Sequence, residues 1–236
     1  MKNQKAVLKW MLMMLLICSL SVSVAQTQES EGRGFFMLGW RATDIDELNV
    51  ALQGREYAEL SNRFLSIGGC GYRINGKWIL GGEGHAIESK DVTSQGYKIS
   101  LAGGYGLFNA GYLIHKKNNL NLYPMLGIGG GALTLNMIEN STPSFDEMLQ
   151  DPKRGMQIST AGLMVSAGIG VDYLFMKKKS ESEEGGMAIG LRIGYTISPF
   201  VGNWIFRESE IAGGPELGIT GPYVHFMIGG GSKKRQ

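Results

Sequence analysis

The segment AGLMVSAGIGVDYLF, residues 161–175, decides the fold. Its larger apolar side chains take every second position, Leu163, Val165, Ala167, Ile169, Val171, Tyr173 and Phe175. Between them stand Ser166, Gly168, Gly170 and Asp172, with only Met164 and Leu174 large. A period of two belongs to a strand, whose successive side chains point to opposite faces. One face is oily and the other tolerates glycine and a carboxylate. The wall of a membrane barrel meets both conditions, because lipid wets the outside while a narrow lumen accepts small residues and isolated charges.

A second segment repeats the pattern. In MAIGLRIGYTI, residues 187–197, one face is Met187, Ile189, Leu191, Ile193, Tyr195 and Ile197, and the other is Ala188, Gly190, Arg192, Gly194 and Thr196. A soluble lipocalin-like barrel points its apolar side chains inward and covers its outside densely with Lys, Glu, Thr and Ser. Here the less greasy faces are mostly Gly, Ala and Ser with a lone charge, as at Lys98 and Ser100, Asp172 or Arg192. The expected lumen is therefore filled by glycine and by a hydrogen-bonded network of Glu83, Lys98, Asp172 and Arg192, since unpaired ions there cost several kcal/mol. Trp40, Trp78, Tyr97, Tyr112, Tyr123, Tyr173, Phe175 and Tyr195, near strand ends, are expected to form interfacial girdles.

Working outward, the same period gives eight strands. The first is GRGFFMLGWRA, followed by a helix-like insert, TDIDELNVALQGREYAEL, where Thr43 or Asp44 caps and Ile45, Leu48, Ala51 and Leu52 share a face. NRFLSIGGCGYR and GKWILGGEGHAI are joined at Asn75-Gly76, read as the two positive-φ residues of a type I′ turn. The polar stretch ESKDVTSQG then precedes YKISLAGGYGLFNAGYLIH, the turn KKNN, and LNLYPMLGIGGGALTLNM. Links after strands one, three, five and seven are long or polar, and those after two, four and six are short or charged. That alternation, with an even strand number, fits the asymmetric ends of an outer-membrane barrel. The fold class is thus all-β, an eight-stranded antiparallel up-and-down transmembrane β-barrel with a short helix in the first long loop. Ten strands result if one long strand or loop divides.

Composition agrees. The chain begins MKNQKAVLKWMLMMLLICSLSVSVAQTQ, three lysines before an uncharged run that closes on small residues, which reads as a signal peptide over 1–25 ahead of a single barrel domain over 26–236. Removing it takes 23 basic residues to 20 against 21 acids, so no clustered basic excess points to nucleic acid. Cys70 is then the remaining cysteine, which excludes an intramolecular disulfide framework. Thirty-six glycines against 6 prolines is about twice the usual glycine usage, and they alternate with Val, Ile, Leu and Tyr inside strands.

The last strand carries TGPYVHF, residues 220–226. Thr220, Gly221, Val224 and Phe226 match the C-terminal β-signal of outer-membrane barrels: a polar residue, glycine, and two hydrophobics one residue apart. Through it the mature chain resembles the uncharacterised outer membrane protein beta-barrel domain families, of the size of OmpA/OmpX-type eight-stranded barrels. It departs from them in the ten residues after Phe226, MIGGGSKKRQ. The resemblance implies an outer-membrane location, contact with outer-membrane lipid, and assembly by the barrel-assembly machinery.

Chemistry is sparse. Glu83 and His85 share a strand face two residues apart, a weak candidate acid–base or metal pair. His115 and His225 show no partner at ligand spacing, GIGGGAL lacks the Gly-Lys-Ser/Thr of a phosphate loop, and neither a GxSxG nor a His–Ser pairing of the membrane lipase type is visible. No catalytic residue, metal or cofactor is assigned. The expectation is a non-enzymatic outer-membrane protein with a structural, adhesion or envelope-integrity role through its outer loops. Alternatives are a membrane-embedded lipid hydrolase or acyltransferase and a soluble periplasmic binder. In PFVGNWIFRESEIAGGPELGIT, Trp204, Ile205 and Phe206 either meet an extracellular partner or fold back over the barrel mouth.

Overall fold

The computed structural model describes residues 30–117, 119–141, 144–150, 155–178 and 183–234. The segment read as a signal peptide lies outside them. Eight strands form the wall: β1 (Ser30–Ala42), β2 (Arg63–Asn75), β3 (Trp78–Ser89), β4 (Tyr97–Tyr112), β5 (Leu120–Glu139), β6 (Gly155–Lys178), β7 (Glu183–Val201) and β8 (Gly221–Lys234). Each pairs antiparallel with its chain neighbours. β8 returns to β1 from Glu31↔Lys233 to Arg41↔Tyr223, which closes the cylinder. Closure leaves no wall edge, so backbone N–H and C=O groups are paired where no water is at hand. Three-residue strands at Val92–Ser94, His115–Lys117, Trp204–Phe206 and Ser209–Ile211 decorate the links without entering the closed wall, which among the described residues has eight strands and not ten.

The turns show how the sequence sets register. Asn75 pairs with Trp78, which centres the first hairpin on Gly76-Lys77, and only Gly76 has a positive φ, +62°. That is the pattern of a type II′ turn, with glycine at its first central position, and corrects the expected type I′ turn at Asn75-Gly76. The polar break before β4 is itself a hairpin. Ser94 pairs with Tyr97 around Gln95 and Gly96, both at positive φ. One irregularity interrupts β6 and β7, where Ser198 and Pro199 stand opposite Met164 alone. Proline has no N–H to offer a ladder and is tolerated at such a bulge.

Side-chain faces follow the sequence in β6 and β7. Ile169, Tyr173 and Phe175 point out, as do Met187, Ile189, Ile193, Tyr195 and Ile197, while Asp172, Leu174, Arg192 and Thr196 are buried. Eleven residues from 187 to 197 rise ~25 Å when tilted by ~40°, the height of a hydrocarbon belt. Trp78 packs edge-on to Tyr112, and Tyr173 to Phe175, at the end holding both termini. Trp40 and Tyr195 lie toward the loop end, half-exposed. Tyr123 does not join a girdle; its side chain turns into the lumen and is fully buried.

β4 reverses the expectation. Ile99, Leu101, Tyr105 and Leu107 face inward, and Lys98, Ser100, Ala102 and Gly104 face outward. The reason lies at the outer mouth, where helix α1 (Asp46–Gln53) drops Leu48 and Leu52 onto the strands. With Ile45, Leu60, Phe64, Ile87, Leu133, Leu135, Trp204, Leu217 and Ile219 these residues form one buried cluster that plugs the barrel. Ile45, rather than Thr43 or Asp44, occupies the N-cap of α1, and Asp44 reaches the Asp46 N–H from outside at 3.3 Å. A second apolar cluster, including Phe35, Met37, Tyr72, Ile79, Tyr123 and Leu174, fills the half nearer the termini. The lumen is therefore a packed core with polar layers, not glycine and ions alone.

Candidate functional site in the barrel lumen

Between the two apolar clusters lies a stack of four rings. Tyr105 on β4 stacks on His85 of β3 with centroids 4.9 Å apart, His85 on His225 of β8 at 4.4 Å, and His225 on Tyr223 at 5.0 Å. β1 and β2 separate the two histidines in the wall. The imidazoles meet because each lies flat over a glycine: Gly68 pairs with His85 and Gly39 with His225. A Cβ at Gly68 would come within 2.6 Å of the His85 ring, and one at Gly39 within 2.7 Å of His225. Glycine here makes room for rings.

Ser66 on β2 joins the histidines. Its hydroxyl lies 3.1 Å from His85 Nδ1 and 3.1 Å from His225 Nε2. A hydroxyl has one proton, so one imidazole accepts it and the other donates to the serine oxygen. If Ser66 donates to His85 Nδ1, the His85 N–H sits on Nε2, 4.0 Å from Glu83 Oε1. The Glu83 carboxylate is held by Arg192 and by the Asn109 amide, which donates to it at 2.9 Å. Arg192 also approaches the Cys70 sulfur at 3.8 Å.

The four residues expected to share one network divide among three places. Glu83 and Arg192 are paired in the middle of the barrel. Asp172 lies nearer the termini, bound by Arg33 and accepting from the Tyr72 hydroxyl. Glu31 completes that second cluster with Arg33 at 3.4 Å and Lys116 at 2.6 Å, and the Asn121 amide, once turned end for end to face its oxygen to the guanidinium, accepts from Arg33 at 2.9 Å. Lys98 is not lumenal. It is exposed at the outer end of β4 and pairs with Asp91 at 2.6 Å. In the inverted face of β4 its position points away from the plug.

Glu83, His85 and Ser66 stand in the order acid, imidazole, hydroxyl of a serine triad, but the 4.0 Å between Glu83 and His85 Nε2 is no hydrogen bond, so the acid does not orient the imidazole as serine activation requires. Sequence alone shows neither histidine contact of Ser66: His85 is 19 positions away and meets it only through the β2–β3 register, and His225 is 159 away and meets it only through barrel closure. The glycines opposite each histidine are the one signal, and they become legible only with the register. Burial limits what the arrangement does: Ser66, His85 and His225 are all buried, under the plug on one side and the second apolar cluster on the other. No group of three or more His, Cys, Asp or Glu side chains among the described residues is placed to hold a metal. Arg41, buried above the Tyr105 ring with 4.9 Å to its centroid, completes the layer.

No family model and no curated protein matches the chain. Among solved structures it is similar to Ail, the attachment invasion locus protein of Yersinia pestis, in complex with sucrose octasulfate, at 12% identity and a TM-score of 0.42 over 88% of this chain and 99% of that one. The outer membrane protease OmpT from Escherichia coli is 11% identical, with a TM-score of 0.35 over 90% and 99%. OprG from Pseudomonas aeruginosa is 13% identical, with a TM-score of 0.31 over 87% and 95%. At these scores the likenesses add nothing to the fold that the strand pairing establishes. Location follows from the closed wall and its apolar belt. This is an outer-membrane barrel.

Proposed function

We propose that the protein is a non-enzymatic outer-membrane barrel whose sealed lumen is a rigid support and whose outer surface meets an extracellular partner. The observation carrying this is the plug. Leu48 and Leu52 from α1 and Trp204, Leu217 and Ile219 from the last loop fill the mouth, and the Trp204 indole N–H donates to the Pro215 carbonyl at 2.8 Å. An eight-stranded cylinder packed with side chains is a poor conduit, which leaves the outer loops as the accessible face. Ile205, Phe206 and Ile211, each between 38% and 44% exposed, stand on that face with Phe145 and Leu149 of the short helix α2 (Phe145–Gln150). Exposed apolar side chains at a loop rim suit adhesion.

The order of Glu83, His85 and Ser66 favours a second reading, a lipid hydrolase. One pair of measurements separates the two. The purified barrel in lipid vesicles is expected to release no fatty acid, and cells carrying Ser66→Ala are expected to retain the adhesion or envelope phenotype lost on gene deletion. Hydrolysis by the wild type that Ser66→Ala abolishes, with the heat-modifiable gel shift of a closed barrel preserved, would establish the enzyme instead.

A further inference from the structure

Above the plug the loops enclose a cavity that the sealed lumen does not explain. It has a volume of about 250 Å³ and lies against the inner face of the β5–β6 hairpin, beneath α1 and the last loop. Leu48 and Leu52 of α1, Leu135 and Met137 of β5, Ile158 of β6 and Trp204 line it. Ile158 stands nine residues beyond Ala167, the partner of Tyr195, so the cavity is clear of the hydrocarbon belt. Met156 and Ile211, 37% and 38% exposed, form its lip toward the outside medium.

The walls are pinned from behind. The Trp204 indole N–H is held by the Pro215 carbonyl at 2.8 Å, and the ring lies over Gly214, where a Cβ would strike it. Two hydrogen bonds between Asn49 and Leu60 fix α1, and Tyr57 at the rim sits edge-on to Tyr97. Apolar cavities with fixed walls take apolar guests, and one of about 150 Å³ holds a benzene. At roughly 30 Å³ per carbon, the share of one water in the liquid, this one holds a chain of about eight.

One charge faces that space. Arg55, just past the end of α1, is the single charged residue on the lining. It is exposed, its guanidinium donates to the Ala51 carbonyl at 3.0 Å, and it forms no ion pair among the described residues. An arginine at the mouth of an apolar slot matches a carboxylate on one straight chain, whereas a two-chain lipid exceeds the volume.

We propose that this cavity binds a medium-chain carboxylate from the outside medium, its chain among Leu52, Met137, Ile158 and Trp204 and its head on Arg55. The site does not depend on whether the loops serve adhesion.

The test is methyl NMR of the barrel in detergent micelles, labelled at the methionine methyls and titrated with octanoate. Met137 and Met156 line the cavity, while Met187, 53% exposed in the belt, reports partition into detergent. Octanoate is expected to shift Met137 and Met156 saturably and to leave Met187 in place. Hexanoate is expected to bind roughly fifteenfold more weakly, at about fourfold for each missing methylene. Arg55→Gln is expected to weaken octanoate at least fivefold and to leave octanol unchanged. Ala212→Trp, which fills the cavity from the exposed last loop, is expected to abolish both responses with the heat-modifiable gel shift preserved. Should that variant fail to close, Ala51→Phe fills the space from the opposite wall. No shift at Met137 and Met156, shifts at Met187 that match theirs, octanol binding wild type as tightly as octanoate, or an unchanged titration in the filled variant would each overturn the site.

Discussion

The two ends of the lumen are closed by opposite chemistry. At the outer mouth the seal is hydrocarbon carried by loops: Ile45, Leu48 and Leu52 from the first, and Trp204, Leu217 and Ile219 from the last. Toward the termini the seal is ionic and carried by strands, with Glu31 and Arg33 from β1, Tyr72 from β2 and Asp172 from β6. The difference teaches where the barrel is brittle. Apolar contacts fail one side chain at a time, whereas removing one ion strands its partner in a dry interior.

The largest effect therefore belongs to Asp172→Ala, which leaves Arg33 buried without its nearest acid. It is expected to cost ~3–5 kcal/mol, measured as a shift of the urea midpoint for the folded, heat-modifiable band in detergent micelles. Asp172→Ala/Arg33→Met removes both charges and is expected to recover most of that loss. If the double variant is no more stable than the single one, the ionic seal is not a pair interaction, and the contrast between the two ends collapses.

Much of the wall was legible in sequence because a membrane barrel writes its two solvents into a period of two. β6 and β7 carry large apolar residues on one face and glycine or charge on the other, and their faces follow that pattern. β4 misled for a physical reason. Its residues 98–107 set Ile, Leu and Tyr against Ser, Ala and Gly, the same contrast, but its outer half rises to the plug, so the large residues turn inward. Parity tells two faces apart; it does not say which face meets lipid where both sides of the wall are apolar. The polar layer was less legible still. Glu83 and Arg192 lie on strands 109 positions apart, and the stack of His85 on His225 needs β1 and β2 to supply flat glycine surfaces between them. Neither follows from spacing along one strand.

The plug offers the intermediate effect. Leu48→Ala opens space beneath α1 and is expected to cost ~2–4 kcal/mol locally. Because α1 belongs to a loop, the loss is expected in the mouth rather than the wall: faster cleavage of residues 43–62 by added protease on intact cells, with the gel shift unchanged. Asn49 sharpens the point. Its side chain donates to the Leu60 carbonyl at 3.1 Å and accepts from the Leu60 N–H at 2.9 Å, tying both ends of the insert. Leu48→Ala that destabilises the wall as strongly as Asp172→Ala would show that the mouth and the wall unfold as one unit.

The smallest effect is expected from the pair most like the ionic seal on paper, Asp91 with Lys98. Its geometry is good, at 2.6 Å, but Lys98 is 54% exposed and Asp91 34%. Water solvates both partners whether or not they meet, and salt screens what remains. The hydrogen bond and charge of Asp91 raise the Lys98 pKa above the ordinary lysine value. A raised folded-state pKa stabilises the fold below the unfolded value and loses that contribution as pH climbs through the folded one, so the contribution is present at neutral pH and disappears only in the alkaline range above ordinary lysine titration. Asp91→Asn is accordingly expected to leave the urea midpoint at pH 7 within experimental error, and to flatten any alkaline decline that depends on Lys98. A midpoint shift approaching that of Asp172→Ala would mean that the outer end of β4 is sheltered from water, and that the belt reaches beyond Trp40 to cover it.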